Sequence, residues 1–245
     1  MALTSSPISW AGPRRLVSAP LKLEDLPQID LVLLSHNHYD HLDFPFLEQL
    51  LAKQPHHLPK LAMPLGVAEM FNGIGENVIE ECDWWDCTDW PNRRWKLTCT
   101  PARHFSGRGL FDRNQSLWCS WHLASEELGF TLYFGGDSGY SSHYQAIRKH
   151  LSPPDMAMLP IGAYEPRWFM KPVHMNPEEA IQAHKDLDAQ KSYGMHWGTF
   201  VLTDEPVMEP PKRIKELQSG LPVNTAFEVL RHGETVFQKS ATNLT

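Results

Sequence analysis

The sequence predicts an α/β fold on three observations. Strand-like and helix-like patterns alternate through the first third of the chain. Aromatic and β-branched segments, parted by Gly, Asn and charged turns, fill the middle. Asn176-Pro177-Glu178-Glu179 then supplies a cap, a proline in the first turn and two acids at the positive end of a helix dipole. Alternation of this kind calls for sheets covered by helices.

The elements follow in order. Residues 1–28 carry Pro7, Pro13, Pro20 and Pro27 and read as an extended lead-in. Ile29–Leu34 is a buried strand. Asp43 can cap a helix whose apolar stripe is Phe46, Leu47, Leu50 and Leu51. Lys60–Met63 and Asn77–Glu80 are short strands with a helical turn at Val67–Phe71 between them. Trp95–Thr100, Ser116–Leu123 and Phe130–Phe134 are strands, the last running into Gly135-Gly136-Asp137-Ser138-Gly139. His143–His150 is a helix, and Asp155–Pro160 a buried strand. The helix from Asn176 reaches about Leu187, and Ser192–Met195 is a strand ending at His196. A helix at Pro211–Leu217 and a closing hairpin, Phe227–Leu230 with Thr235–Phe237, complete a single domain over 1–245.

Composition narrows the function. The chain has 245 residues, 42% hydrophobic and 21% charged, enough for a sizeable core. A net charge of -7 argues against nucleic acid as a partner, although a local basic patch around Arg93-Arg94 or Arg103 and Arg108 is left open. No apolar run approaches the roughly 18 residues of a membrane span. Cys82, Cys87, Cys99 and Cys119 form no CxxC pair and read as free thiols, which with no secretory signal points to the cytoplasm. Trp84, Trp85, Trp90 and Trp95 are assigned to core packing rather than to a lipid surface, on residue preference.

The informative stretch is Ser35-His36-Asn37-His38-Tyr39-Asp40-His41. Three histidines and an aspartate fall within six residues after a buried strand, spaced H-x-H-x-D-H. On a tight loop they can converge, and imidazole with carboxylate suits zinc. His104, Asp137 and His196 also follow strands, where α/β folds gather their chemistry. Together these seven residues suffice for two zinc ions, an arrangement suited to hydrolysis at phosphorus or carbonyl. His56, His57, His122, His143, His150, His184 and His232 have no convergent spacing. Ser138 lacks a G-x-S-x-G context, which excludes a serine hydrolase.

SHNHYDHLD, His104, the GGDSG turn and the HWGTF segment resemble the metallo-β-lactamase superfamily. ENVIEECDWWD, PIGAYEPRWFM and HMNPEEA resemble, within it, the phospholipases D that hydrolyse N-acylphosphatidylethanolamine. The resemblance implies an αβ/βα sandwich of two mixed sheets flanked by helices. It implies His36, His38 and His104 on one zinc, Asp40, His41 and His196 on a second, and Asp137 bridging. Asp40 and His174 are the candidate catalytic residues, His174 by its match to a substrate-side histidine of the family. The implied reaction is phosphodiester hydrolysis by water activated between the two zinc ions, with a phospholipid or other small phosphodiester as substrate and possible peripheral membrane contact. Arg167 either pairs with phosphate or holds a long loop. The family's segments of the types W-x-G-H-A and T-D-P have no counterpart before His36, so the chain is expected to lack the first strands. The alternatives are a hydrolase of another ester, such as a lactone or small phosphodiester, or an inactive truncated metal-binding remnant.

Overall fold

The computed structural model describes residues 4–6, 10–71, 79–90 and 95–237. They fall into two compact units. The first comprises 1–83, 105–118 and 199–201, and the second 84–104, 119–198 and 202–245.

The first unit holds three parallel strands, β1 (Leu31–Leu33), β2 (Lys60–Pro64) and β3 (Ile79–Cys82), in the order β1-β2-β3. Helix α1 (Phe44–Lys53) begins where the sequence expects it, because the Asp43 side chain accepts from the Phe46 amide at 3.1 Å and Pro45 sits in the first turn. Its stripe buries Leu47 and Leu50. Leu47 joins Leu34, Leu42, Leu61, Met63, Val67 and Phe71 in one apolar cluster. Burying a side chain of this size contributes about 1.5–3 kcal/mol. The cluster therefore anchors both ends of the loop between β1 and α1. Among the described residues of the lead-in, Thr4 bridges antiparallel to Arg14, a 3-10 turn spans Leu23–Asp25, and Arg15 bridges antiparallel to Phe200.

The second unit is built on seven strands, β4 (Cys87–Trp90), β5 (Trp95–Thr100), β6 (Ser120–Ser125), β7 (Phe130–Phe134), β8 (Met156–Pro160), β9 (Lys191–Met195) and β10 (Ala226–Glu228). They lie in the order β10-β9-β8-β7-β6-β5-β4. Pairing is antiparallel from β4 to β7 and parallel from β7 to β10. Among the described strands only this sheet mixes directions. Helices α2 (His143–His150), α4 (Pro177–Asp186) and α5 (Glu209–Leu217) bury Tyr144, Ile147, Ile181 and Ile214 against Tyr133, Leu159 and Phe227 of the sheet. A short helix, α3 (Arg167–Met170), precedes α4. The capping box of α4 is complete, with Asn176 accepting from the Glu179 amide and Glu179 from the Asn176 amide.

Several expectations are corrected. The closing hairpin is absent among the described residues. Phe227 lies buried on a strand that pairs parallel to β9. Residues 116–119 stand outside β6. The sequence pattern missed β4 and α3, both shorter than a reliable periodicity window. Residues 77 and 78 of the expected third strand lie outside the described residues, as do Arg93 and Arg94. The tryptophans are not core: Trp85 is 40% exposed, and Trp84, Trp90 and Trp95 are half-buried. All four cysteines are free thiols.

Candidate metal centre

Each unit contributes a set of ligands at the ends of its strands. In the first, β1 delivers the chain into the turn 35–42, where Ser35, His36 and Asn37 are buried. His36 Nδ1 lies 2.9 Å from Ser35 Oγ. His36 Nε2 lies 2.9 Å from His38 Nδ1, so both rings direct a nitrogen at one small volume. The His41 ring centroid is 4.1 Å from that of His36, and His41 Nε2 is 3.4 Å from Asp40 Oδ2. The turn is closed by amides of His41 and Leu42, both donating to the His38 carbonyl. All four predicted residues of this loop are thus brought together.

In the second unit, His104 follows β5, Asp137 follows β7 and His196 directly follows β9. Asp137 Oδ2 lies 3.8 Å from His104 Nε2 and 3.2 Å from His196 Nε2, with the Asp137 side chain 2% exposed. His174 joins them, its ring centroid 5.0 Å from that of His104 and 5.5 Å from that of His196. Ligand atoms of His104, Asp137 and His174 lie within 4.8 Å of one another. His174 is therefore a buried member of the cluster. The segments that carry these residues are stitched by backbone bonds: Gly139 N donates to Arg103 O and Met175 N to Ser138 O.

Two glycines allow the close approach. A Cβ on Gly162 would collide with the carbonyl of His196, which itself adopts φ 58. A Cβ on Gly139 would lie 2.6 Å from the Pro172 carbonyl. A histidine with positive φ is an uncommon, strained conformation that the surrounding packing must enforce.

The donor chemistry fits a divalent ion. His104 Nδ1 lies 2.9 Å from the Val173 carbonyl, which can only accept. The neutral ring therefore carries its hydrogen on Nδ1 and presents the Nε2 lone pair toward Asp137. Ser35 can hold His36 in the same tautomer. A buried carboxylate is costly unless cations or several donors offset it, and a divalent ion among imidazole nitrogens does so.

Sequence reasoning missed two contributors, the inward role of Arg108 and the Val173 carbonyl, and left the role of Arg167 open. Arg108 turns inward onto the carbonyls of Asn37 and Leu42, at 2.8 Å each, rather than standing free as a surface cation. The Val173 carbonyl has no sequence signature. Arg167 pairs with Glu179 at 2.6 Å and donates to the carbonyls of Tyr164 and His174, which selects the loop-holding reading over the phosphate one. Among the described residues no helix is long and apolar enough to cross a membrane.

Comparison with known proteins agrees with this geometry. The Beta-lactamase superfamily domain matches residues 3–197. The N-acyl-phosphatidylethanolamine-hydrolyzing phospholipase D 1 of Caenorhabditis elegans is 40% identical over 237 residues, covering 92% of this chain and 65% of that protein. The mitochondrial N-acyl-phosphatidylethanolamine-hydrolyzing phospholipase D of Saccharomyces cerevisiae is 37% identical over 210 residues, 84% of this chain and 44% of that protein. The chain thus spans under two thirds of either curated relative. Among solved structures, an isothiocyanate hydrolase from Delia radicum gut bacteria shares the fold with a TM-score of 0.70 at 19% identity, over 93% of this chain and 84% of that one. The chain belongs to the metallo-β-lactamase superfamily, and the relatives it resembles at 37–40% identity are N-acyl-phosphatidylethanolamine-hydrolyzing phospholipases D.

Proposed function

We propose that residues 1–245 act as one catalytic domain, a zinc-dependent phosphodiesterase of phospholipase D type whose substrate is N-acylphosphatidylethanolamine or a related phospholipid. His36, His38 and His104 hold one zinc, Asp40, His41 and His196 a second, and Asp137 bridges. The observation that carries it is the buried Asp137 oxygen flanked by His104 Nε2 and His196 Nε2. The relatives at 40% and 37% identity support the substrate class.

When bound, the ions supply an activated water and positive charge to offset the charge that develops at phosphorus. The chain's own residues do the rest. The Val173 carbonyl sets the tautomer of His104, and Ser35 Oγ orients the His36 ring. The Asp40 carboxylate, beside His41, is the basic group on the first loop and can accept a proton from the attacking water. His174, buried beside the ligands but outside the set of seven, orients the phosphodiester or protonates the departing alcohol.

The test is zinc per chain on purified protein, then release of N-acylethanolamine from N-acylphosphatidylethanolamine with and without chelator. Close to two zinc ions and chelator-sensitive release support the proposal. Two ions without release move the substrate elsewhere, and little zinc defeats the centre.

Peripheral contact with the membrane from the cytoplasm belongs to the same proposal and rests on α3. Trp168 is 83% and Phe169 63% exposed, adjacent to the exposed Lys171. An aromatic pair beside a cation suits the interface of an anionic bilayer. The double change Trp168→Ala with Phe169→Ala is expected to reduce sedimentation with phosphatidylglycerol vesicles several-fold. Unchanged sedimentation would remove α3 from the role.

A further inference from the structure

We propose that Arg108 is the positioning residue of the first ligand loop, a clamp that holds His38, Asp40 and His41 in their ligand-presenting conformation. The inference rests on the metal-centre reading above and extends it to a residue that carries no ligand atom.

A loop dense in ligands is poorly held by its own chemistry, because its side chains point at one another and its carbonyls need donors. Here one guanidinium nitrogen supplies them. Arg108 Nη1 donates to the carbonyls of Asn37 at 2.8 Å and Leu42 at 2.8 Å, with His38 O at 3.4 Å. Asn37 and Leu42 bracket the ligands, so the same nitrogen ties the loop's entry to its exit.

The arginine is itself fixed. Its Cζ lies 3.8 Å from the centroid of the Tyr39 ring and 5.2 Å from that of Phe44. The Tyr39 hydroxyl donates back to the Arg108 carbonyl at 3.1 Å. On the other side the Asp112 carboxylate accepts from the amides of Arg108 and Gly109, and the Asn37 side chain accepts from the Gly107 amide at 2.8 Å. The turn 107–112 and the ligand loop are thus mutually bonded. Lysine could match the charge but not the planar stack on Tyr39.

The test pairs Arg108→Met, which keeps the apolar stem and removes the donors, with Arg108→Lys, which keeps the charge. Two quantities are read: amide hydrogen exchange at His41 and Leu42 in chelator-treated protein, and zinc affinity by competition with a chromogenic chelator. R108M is expected to speed exchange at both amides at least about tenfold. It is also expected to weaken zinc binding about 10–100-fold, the usual effect of losing an outer-shell partner. R108K should fall between R108M and the parent on both. Leu50→Ala, in the α1 core, controls for general destabilisation and should leave zinc affinity unchanged.

Exchange and affinity within twofold of the parent in R108M would overturn the clamp. If R108M does not fold, R108K decides by the same readouts, and parent-like values there overturn it. A parent chain that takes up no zinc would defeat the proposed function. The metal-free exchange rates would still decide the clamp.

Discussion

The Val173 carbonyl accepts a hydrogen bond from His104 Nδ1 at 2.9 Å, and Val173 directly precedes His174. One peptide therefore sets the tautomer of a metal-ligand candidate and places His174 beside it. The same segment is gripped by Arg167, which donates to the His174 carbonyl at 2.9 Å. The orientations of His104 and His174 thus share a single backbone support.

Asp137→Asn tests the bridging assignment. The amide keeps the shape but removes the negative charge and replaces one acceptor oxygen with a donor, so it cannot balance two cations. Zinc per chain should fall to one or below, and turnover should drop by more than about 100-fold. Metal analysis with steady-state kinetics reads both. Near-parent rates would sink the dinuclear reading.

His174→Ala separates substrate handling from metal binding. His174 is 7% exposed and lies among the ligands without belonging to the seven. Zinc content should stay at the parent level while kcat falls about 10²–10⁴-fold, the range of a lost proton-transfer group. Loss of zinc with unchanged rate per bound ion would make it a ligand instead.

Gly162→Ala probes the seat of His196. The new methyl meets the His196 carbonyl, which as backbone cannot swing away. Destabilisation of about 1–3 kcal/mol is expected, as for other forced insertions into packed regions. Zinc affinity should fall with it, because the displaced residue carries a ligand atom. Thermal unfolding of the metal-free and zinc-loaded forms measures the two effects.

Acid sensitivity should come in part from His184. Burial holds this imidazole down at about 4, with Lys185 adding to the effect, and its Nδ1 sits 2.7 Å from Ser192 Oγ. The unfolded ring titrates near 6.5. Between those values the unfolded chain takes up a proton that the folded one refuses. Stability is therefore full above about pH 6.5 and declines as pH falls toward about 4, at up to roughly 1.4 kcal/mol per pH unit for one proton. His143, held at about 4 by burial and then by Arg103, adds a parallel decline. Urea unfolding from pH 7 to 4.5 should show a shallower pH slope in His184→Gln than in the parent. Equal slopes would refute the assignment.

By itself the sequence determined the α/β class, most of the strands and helices, and the candidate ligands. Those features are local or short-period. The Asp43 and Asn176 caps bond within three residues, β5 and β7 carry dense aromatic and β-branched patterns, and H-x-H-x-D-H is a contiguous motif. Tertiary structure alone decided the features that depend on which segments meet. The direction of β10 depended on pairing with β9 across more than thirty residues of chain. The inward turn of Arg108 needed carbonyls some seventy positions away, and the tautomer of His104 needed a carbonyl at Val173. Backbone carbonyls exist at every position and leave no mark in the residue alphabet. A sequence therefore names its ligand candidates, and only the folded chain reveals what holds them.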